Sequence, residues 1–273
     1  MFYTKGGKMN INNELKNLNL LDRFLFAEAT EDPEFLEIVL EIILGKEVIL
    51  KELPHTEKEQ RKELWSKQIN LDVWSIDSND NIYDTEVQKH NTHNLPRRTR
   101  FYHSVIDSKL LHSGNTQYND LKDVYIIMIM PFDLFGQGLY KYTFEMTSEE
   151  VPGLKLNDGA KRIFLNTRGT DANGVSQELI DLLKYFENTT EFTASRSSSK
   201  KIHRLQEKVQ SIKVKEDMGV KFMHKWEEDL MHEQEGFDKA TLQIALKMKE
   251  CGVVKEDIAK YTGLSIEEIE ELQ

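Results

Sequence analysis

The chain has 273 residues, 39% of them hydrophobic and 30% charged, which suits a soluble protein with one sizeable core and excludes a disordered chain. Its net charge of −11 disfavours nucleic acid unless basic residues are gathered locally, and its single cysteine, Cys251, excludes an internal disulfide or a Cys-rich zinc site. A reducing, cytoplasmic setting is expected, because no apolar run approaches the roughly 20 residues of a membrane span and "MFYTKGGKMN" lacks the apolar core of a secretory leader.

Residues 1–20 are polar and Asn-rich and read as a loose lead-in. "EDPEFLEIVLEIILG" (31–45) puts Phe35, Leu36, Val39, Leu40, Ile42 and Ile43 on one helical face, with Pro33 near its start and Gly45 at its end. "KEVILKELP" (46–54) reads as a strand, and 55–68 as a charged loop. "INLDVWSID" (69–77) and "NIYDTEVQK" (81–89) form two strands around a polar Ser78-Asn79-Asp80 turn. "LPRRTRFYHSVIDSKLL" (95–111) has Phe101, Val105, Leu110 and Leu111 at helical spacing. "DVYIIMIMPF" (123–132) is the continuous apolar run of a strand buried on both faces. Strands at 139–146 and 160–167, a helix at 176–189, a long polar helix from about Ser199 to Glu233 and a short helical tail complete the chain. The order helix, strand, strand, strand, helix, strand between 31 and 132 implies a mixed sheet covered by helices.

The hairpin carries the chemistry. A turn centred on Asn79 sets Asp72 opposite Glu86, Trp74 opposite Asp84 and Ile76 opposite Ile82. Alternation points Asp84, Glu86 and Gln88 to one side of the second strand, and with this pairing Asp72, Glu86 and Gln88 share one face. Cross-strand carboxylates lie with Cβ atoms about 4.5–5.5 Å apart and repel unless a cation or proton sits between them. A hard cation such as Mg²⁺ takes one or two carboxylates and keeps several waters. A solvated acidic face of a two-stranded ribbon has the same spacing, so both readings stand on the pattern alone.

The frame of elements, an acid on the second strand and E-x-Q on the third resembles the PD-(D/E)XK nuclease superfamily. The stretch from "LDVWSIDSNDNIYDTEVQ" through "LPRRTRFYH" to "DVYIIMIMPFDLF" is similar to the Rpn family of recombination-promoting nucleases, also labelled transposases, over about residues 20–190. The resemblance implies a restriction-endonuclease-like α/β fold and a metal-dependent DNA endonuclease that hydrolyses phosphodiester bonds with Mg²⁺ or Mn²⁺. It implies that Asp72 and Glu86 hold the metal and that Gln88 stands where the superfamily usually has lysine. Glutamine brings hydrogen bonds but no charge, so a catalytically impaired fold that binds nucleic acid or protein is the alternative. It also points to a first-helix glutamate, with Glu28, Glu37 and Glu41 as candidates.

Arg97, Arg98 and Arg100 fall in one turn after the acids, suited either to a grip on DNA phosphates with Tyr102 near the scissile group or to a solvated, basic first turn. His90, His93, His103 and His112 read as loop or surface residues. Residues 196–225 hold nine basic residues against three acidic ones, a stretch suited either to a phosphate backbone or to a solvated face. The tail resembles a helix-turn-helix, yet "SIEEIEEL" would repel phosphates, which favours protein contact. The expected organisation is a lead-in (1–20), a nuclease-like domain (21–190), a basic helical linker (191–235) and a small helical tail unit (236–273), with DNA as partner and self-association through the C-terminal helices.

Overall fold

The computed structural model describes residues 3–4, 7–8, 11–60, 69–110 and 117–272. Two short strands, β1 (Tyr3–Thr4) and β2 (Gly7–Lys8), pair before helix α1 (Ile11–Asn17). The described residues of the lead-in therefore form elements that their polar composition does not suggest. Leu15 and Leu20 are buried, and the Leu20 amide donates to Thr189 Oγ1 at 2.8 Å. Helices α2 (Arg23–Thr30) and α3 (Pro33–Leu44) follow directly. Asp22 and Asp32 cap them by accepting from the Phe24 and Glu34 amides, and Gly45 ends α3 at φ 67°. The expected face of α3 is buried in full.

Among the described residues, the main sheet has six strands in the order β3-β4-β5-β6-β8-β7. They are β3 (His55–Gln60), β4 (Ile69–Ile76), β5 (Ile82–Val87), β6 (Val124–Met130), β7 (Lys141–Phe144) and β8 (Ala160–Asn166). β5, β6 and β8 run parallel, and the other neighbours pair antiparallel. The first strand of the sheet lies at 55–60, not at 46–54. The 46–54 segment instead forms one isolated bridge, Leu50 with Asp77, and Glu37 and Glu41 on α3 accept from its Leu50 and Val48 amides. The hairpin register agrees with the spacing: Trp74 faces Asp84 and Ile76 faces Ile82.

Helix α4 (Leu95–Leu110) crosses from β5 to β6 and packs on the sheet face carrying Trp74, Ile82, Val124, Ile126 and Met128. Its buried face is Leu95, Thr99, Tyr102, Val105 and Ile106 rather than one led by Phe101, which is exposed. Leu111 and His112 lie outside the described residues. Helix α5 (Gln177–Glu187) follows β8 and is capped by Ser176.

The expected long helix is two. α6 (Glu191–Ser195) leads to α7 (Lys200–Lys213), which ends at Val214, and α8 (Met218–Glu250) begins after Asp217. α7 buries Ile202, Leu205, Val209 and Ile212. The chain forms two compact units, 1–215 and 216–273, so the stretch read as a linker is divided between them. In the second unit α8, α9 (Lys255–Thr262) and α10 (Ile266–Glu271) share a small core of Ala245, Ile258 and Ile269.

Candidate active site

The hairpin that carries the acids is fixed at its turn by Asp77. Its Oδ1 accepts from the Asn79 and Asn81 amides, and its Oδ2 accepts from the Tyr83 hydroxyl at 2.7 Å. Four bonds to a single carboxylate, counting Asn81 Nδ2, hold the register. Register matters because a slip of one residue would send every acid to the other face.

Asp72 on β4 and Glu86 on β5 are both buried. Burial, and then the neighbouring charge of Asp72, push the Glu86 carboxyl up to about 8. Burial raises Asp72 as well, against the opposing pull of Arg23. Two carboxylates in one desolvated spot cannot both ionise freely. Each acid has one arginine partner. Arg23, in the first turn of α2, donates from Nη2 to Asp72 Oδ1 at 2.6 Å. Arg98, in the first turns of α4, donates from Nη2 to Glu86 Oε2 at 2.9 Å and to Gln88 Oε1 at 2.7 Å. The Gln88 amide donates in turn to the His90 carbonyl at 2.8 Å. Glu86 Oε1 is buried and has no hydrogen-bond partner.

Asp84 is placed by the pattern on the side of Glu86 and Gln88, without a role in the metal site. It lies on the same face as Glu86, two residues earlier, opposite Trp74, and both of its oxygens are buried without a partner. Burial, and then the charges of Glu86 and Asp72, raise its carboxyl well above the usual range. The alternation of β5 signals that placement. Arg23 carried no such signal, because α2 was not legible as an element of the site.

The three arginines read as a phosphate grip divide. Arg98 turns into the acids, and its guanidinium also lies over the Tyr102 ring at 5.7 Å. Arg97 and Arg100 are exposed. Tyr102 is buried, and burial pushes its hydroxyl well above the ordinary tyrosine range. Glu37 and Glu41 are engaged with the 46–54 segment, and Lys201 pairs with Glu41 at 3.0 Å. Glu28 is half-buried on α2. His90 and His93 sit in the exposed loop before α4 as expected. His103 does not: it is buried, its Nε2 lies 3.2 Å from the Lys161 carbonyl, and burial lowers it to about 4.

The donor set suits a hard divalent ion. It offers carboxylate oxygens from adjacent strands, one of them orphaned in a buried position. Among the described residues no three His, Cys, Asp or Glu side chains are arranged to hold a metal together. Asp72 and Glu86 offer the one-or-two-carboxylate pattern with which Mg²⁺ keeps most of its waters.

The family model of the PD-(D/E)XK nuclease family transposases matches residues 22–235. The chain belongs to that family. No curated protein and no solved structure gives a match. Membership accounts for the restriction-endonuclease-like fold, in which helices flank the mixed sheet and the acid hairpin lies beside α4. It makes the protein nuclease-like, in a superfamily that generally uses divalent metals. The transposase-family match also includes Arg23 on α2 and all of α7, beyond the hairpin and α4 on which the motif rests. Among the described residues no helix is long and apolar enough to cross a membrane.

Proposed function

We propose that this protein is a metal-dependent DNA endonuclease of the Rpn type. Asp72 and Glu86 hold Mg²⁺ or Mn²⁺, and Gln88 and Arg98 complete the catalytic face. When bound, the ion lowers the pKa of water and offsets charge developing on the phosphate. The chain's own residues orient the site: Asp77 fixes the register, Arg23 and Arg98 aim the acids, and the core under α4 excludes water from Asp84. Arg97 and Arg100 hold the DNA backbone.

The observation that carries this reading is the pair of buried, raised acids on adjacent strands, one with an orphaned oxygen. Uncompensated burial of that kind costs stability, and a cation would offset it. Plasmid nicking in Mg²⁺, Mn²⁺ and Ca²⁺ tests it. The wild type should cut, and Asp72→Ala and Glu86→Ala should each stop cutting while the fold persists. Cutting by both variants at the wild-type rate would move the active site elsewhere.

The second reading is a catalytically impaired nuclease fold that binds nucleic acid or protein. It draws on the arginine that each acid already holds, at 2.6 and 2.9 Å. A wild type that binds duplex but cuts in none of the three metals would favour it. A cytoplasmic location and self-association of two copies through α8–α10 belong to the proposal too. Leu230, Met231 and Phe237 are exposed on α8, and light scattering of Phe237→Glu against the parent chain tests the pairing.

A further inference from the structure

Phosphodiester hydrolysis adds water across a P–O bond. A new O–P bond forms, and the P–O bond to the departing sugar breaks with its electron pair. One proton of water passes to that sugar oxygen, and the other stays on the hydroxyl bound to phosphorus. Negative charge builds on the non-bridging oxygens in between, and a preorganised cation aimed there is worth a large factor in rate. Gln88 cannot be that cation, because an amide carries no charge. Its Nε2 donates to the His90 carbonyl and its Oε1 accepts from Arg98, so both ends of the amide are held.

We infer that Arg98 is the catalytic cation of this site and that Gln88 is a positioning residue that holds it there. The inference rests on the nuclease reading above and deepens it. Three observations single out Arg98. One of its nitrogens bonds both Glu86 and Gln88, which joins a metal-holding acid to the neighbouring position on the same strand face. Its side chain is only 24% exposed, against 56% for Arg23, so its charge acts in a drier setting. Its guanidinium is further located by the Tyr102 ring, and its Nε is buried without a partner. A planar fork with one nitrogen engaged still has donors to offer a phosphate oxygen. Arg97 and Arg100, exposed on the same helix, have none of these contacts to the acids and serve binding.

Single-variant kinetics on a duplex oligonucleotide with Mn²⁺ test the assignment. Arg98→Ala should lower kcat by about 100-fold or more and leave KM within about threefold, the pattern of an interaction made only in the transition state. Arg98→Lys should fold as wild type by circular dichroism, retain the charge but lose the fork, and fall between the two. Gln88→Lys combined with Arg98→Ala puts a cation back on the strand face and should recover at least about tenfold of the loss, equivalent to about 1.4 kcal/mol of barrier. Gln88→Leu should lower kcat by less than Arg98→Ala does. If the wild type cuts and Arg98→Ala cuts within threefold of it, Arg98 is not the catalytic cation. If kcat holds and KM rises, Arg98 is a binding residue, and the inference also fails. If Arg98→Ala is misfolded, Arg98→Lys decides: activity equal to the wild type overturns the need for the fork held by Gln88. A wild type inactive in every metal overturns the nuclease reading and this inference with it.

Discussion

At the scale of single residues, the acid face stores a conflict that pH exposes. The folded Glu86 carboxyl, at about 8, lies above its ordinary value of 4.5 because of burial and then the charge of Asp72. Between those values the folded state binds more protons than the unfolded one, so stability falls as pH rises through the window and is greatest below it. Each pH unit there costs up to about 1.4 kcal/mol. Urea midpoints in EDTA should therefore drop from pH 5 to pH 8, and Glu86→Gln should flatten the drop. Adding Mg²⁺ should raise the midpoint more at pH 8 than at pH 5.5, because the ion binds the deprotonated acids. Equal gains at both pH values would count against Glu86 as a ligand. Asp84 makes the complementary case. Its two orphaned oxygens sit in a wholly buried position, so Asp84→Val should raise the stability of the metal-free protein by about 1–3 kcal/mol. His103 acts in the opposite sense to Glu86. Burial lowers it from 6.5 to about 4, so its contribution is intact above 6.5 and is lost as pH falls toward 4.

At the scale of elements, the structure reassigns the basic helix. The charge count of 196–225 suits a phosphate backbone, but α7 spends much of that charge on α3 and its cap. Arg204 forks onto Glu34 at 2.8 and 2.9 Å, Lys208 reaches Asp32 and Glu34, and Lys201 reaches Glu41. Lys208 is the most enclosed of these, so Lys208→Ala should lower stability by about 1 kcal/mol, seen as a shifted urea midpoint at an unchanged slope. The same logic explains what could be read in the sequence and what could not. The helices α3 and α4, the strand β6 and the hairpin were legible because burial on a face imposes a period, and Asp84, Glu86 and Gln88 inherit their side from it. The strand β3 was not. "HTEKEQ" is polar because it lies at the edge of the sheet, where only one side is paired, whereas the apolar "VIL" at 48–50 looks like a strand but ends as a loop tied to Glu37 and Glu41. The break at 214–217 has no Gly or Pro to announce it, and so the two helices read as one.

At the scale of the whole molecule, charge limits where the proposed DNA partner can lie. A chain of net charge −11 repels duplex at long range, so affinity must come from a local basic surface. Arg204 of α7 and its lysines at 201 and 208 are paired internally, and Arg98 is turned to the acids. Arg97 and Arg100 are exposed cations of α4 outside those pairs, three residues apart and so on one side of the helix. Each phosphate contact contributes about 0.9 to the slope of log affinity against log salt on duplex DNA. Arg97→Ala combined with Arg100→Ala should therefore flatten that slope by about 1.8 and weaken binding to all sequences alike, because phosphate contacts carry no base readout. Lys201→Ala combined with Arg204→Ala should leave the slope unchanged. Fluorescence anisotropy of a labelled duplex in EDTA across a salt series separates the two pairs of variants. A slope lost with the α7 pair and kept with the α4 pair would place the DNA along α7 and away from the acid hairpin, which would in turn break the link between binding and the proposed chemistry.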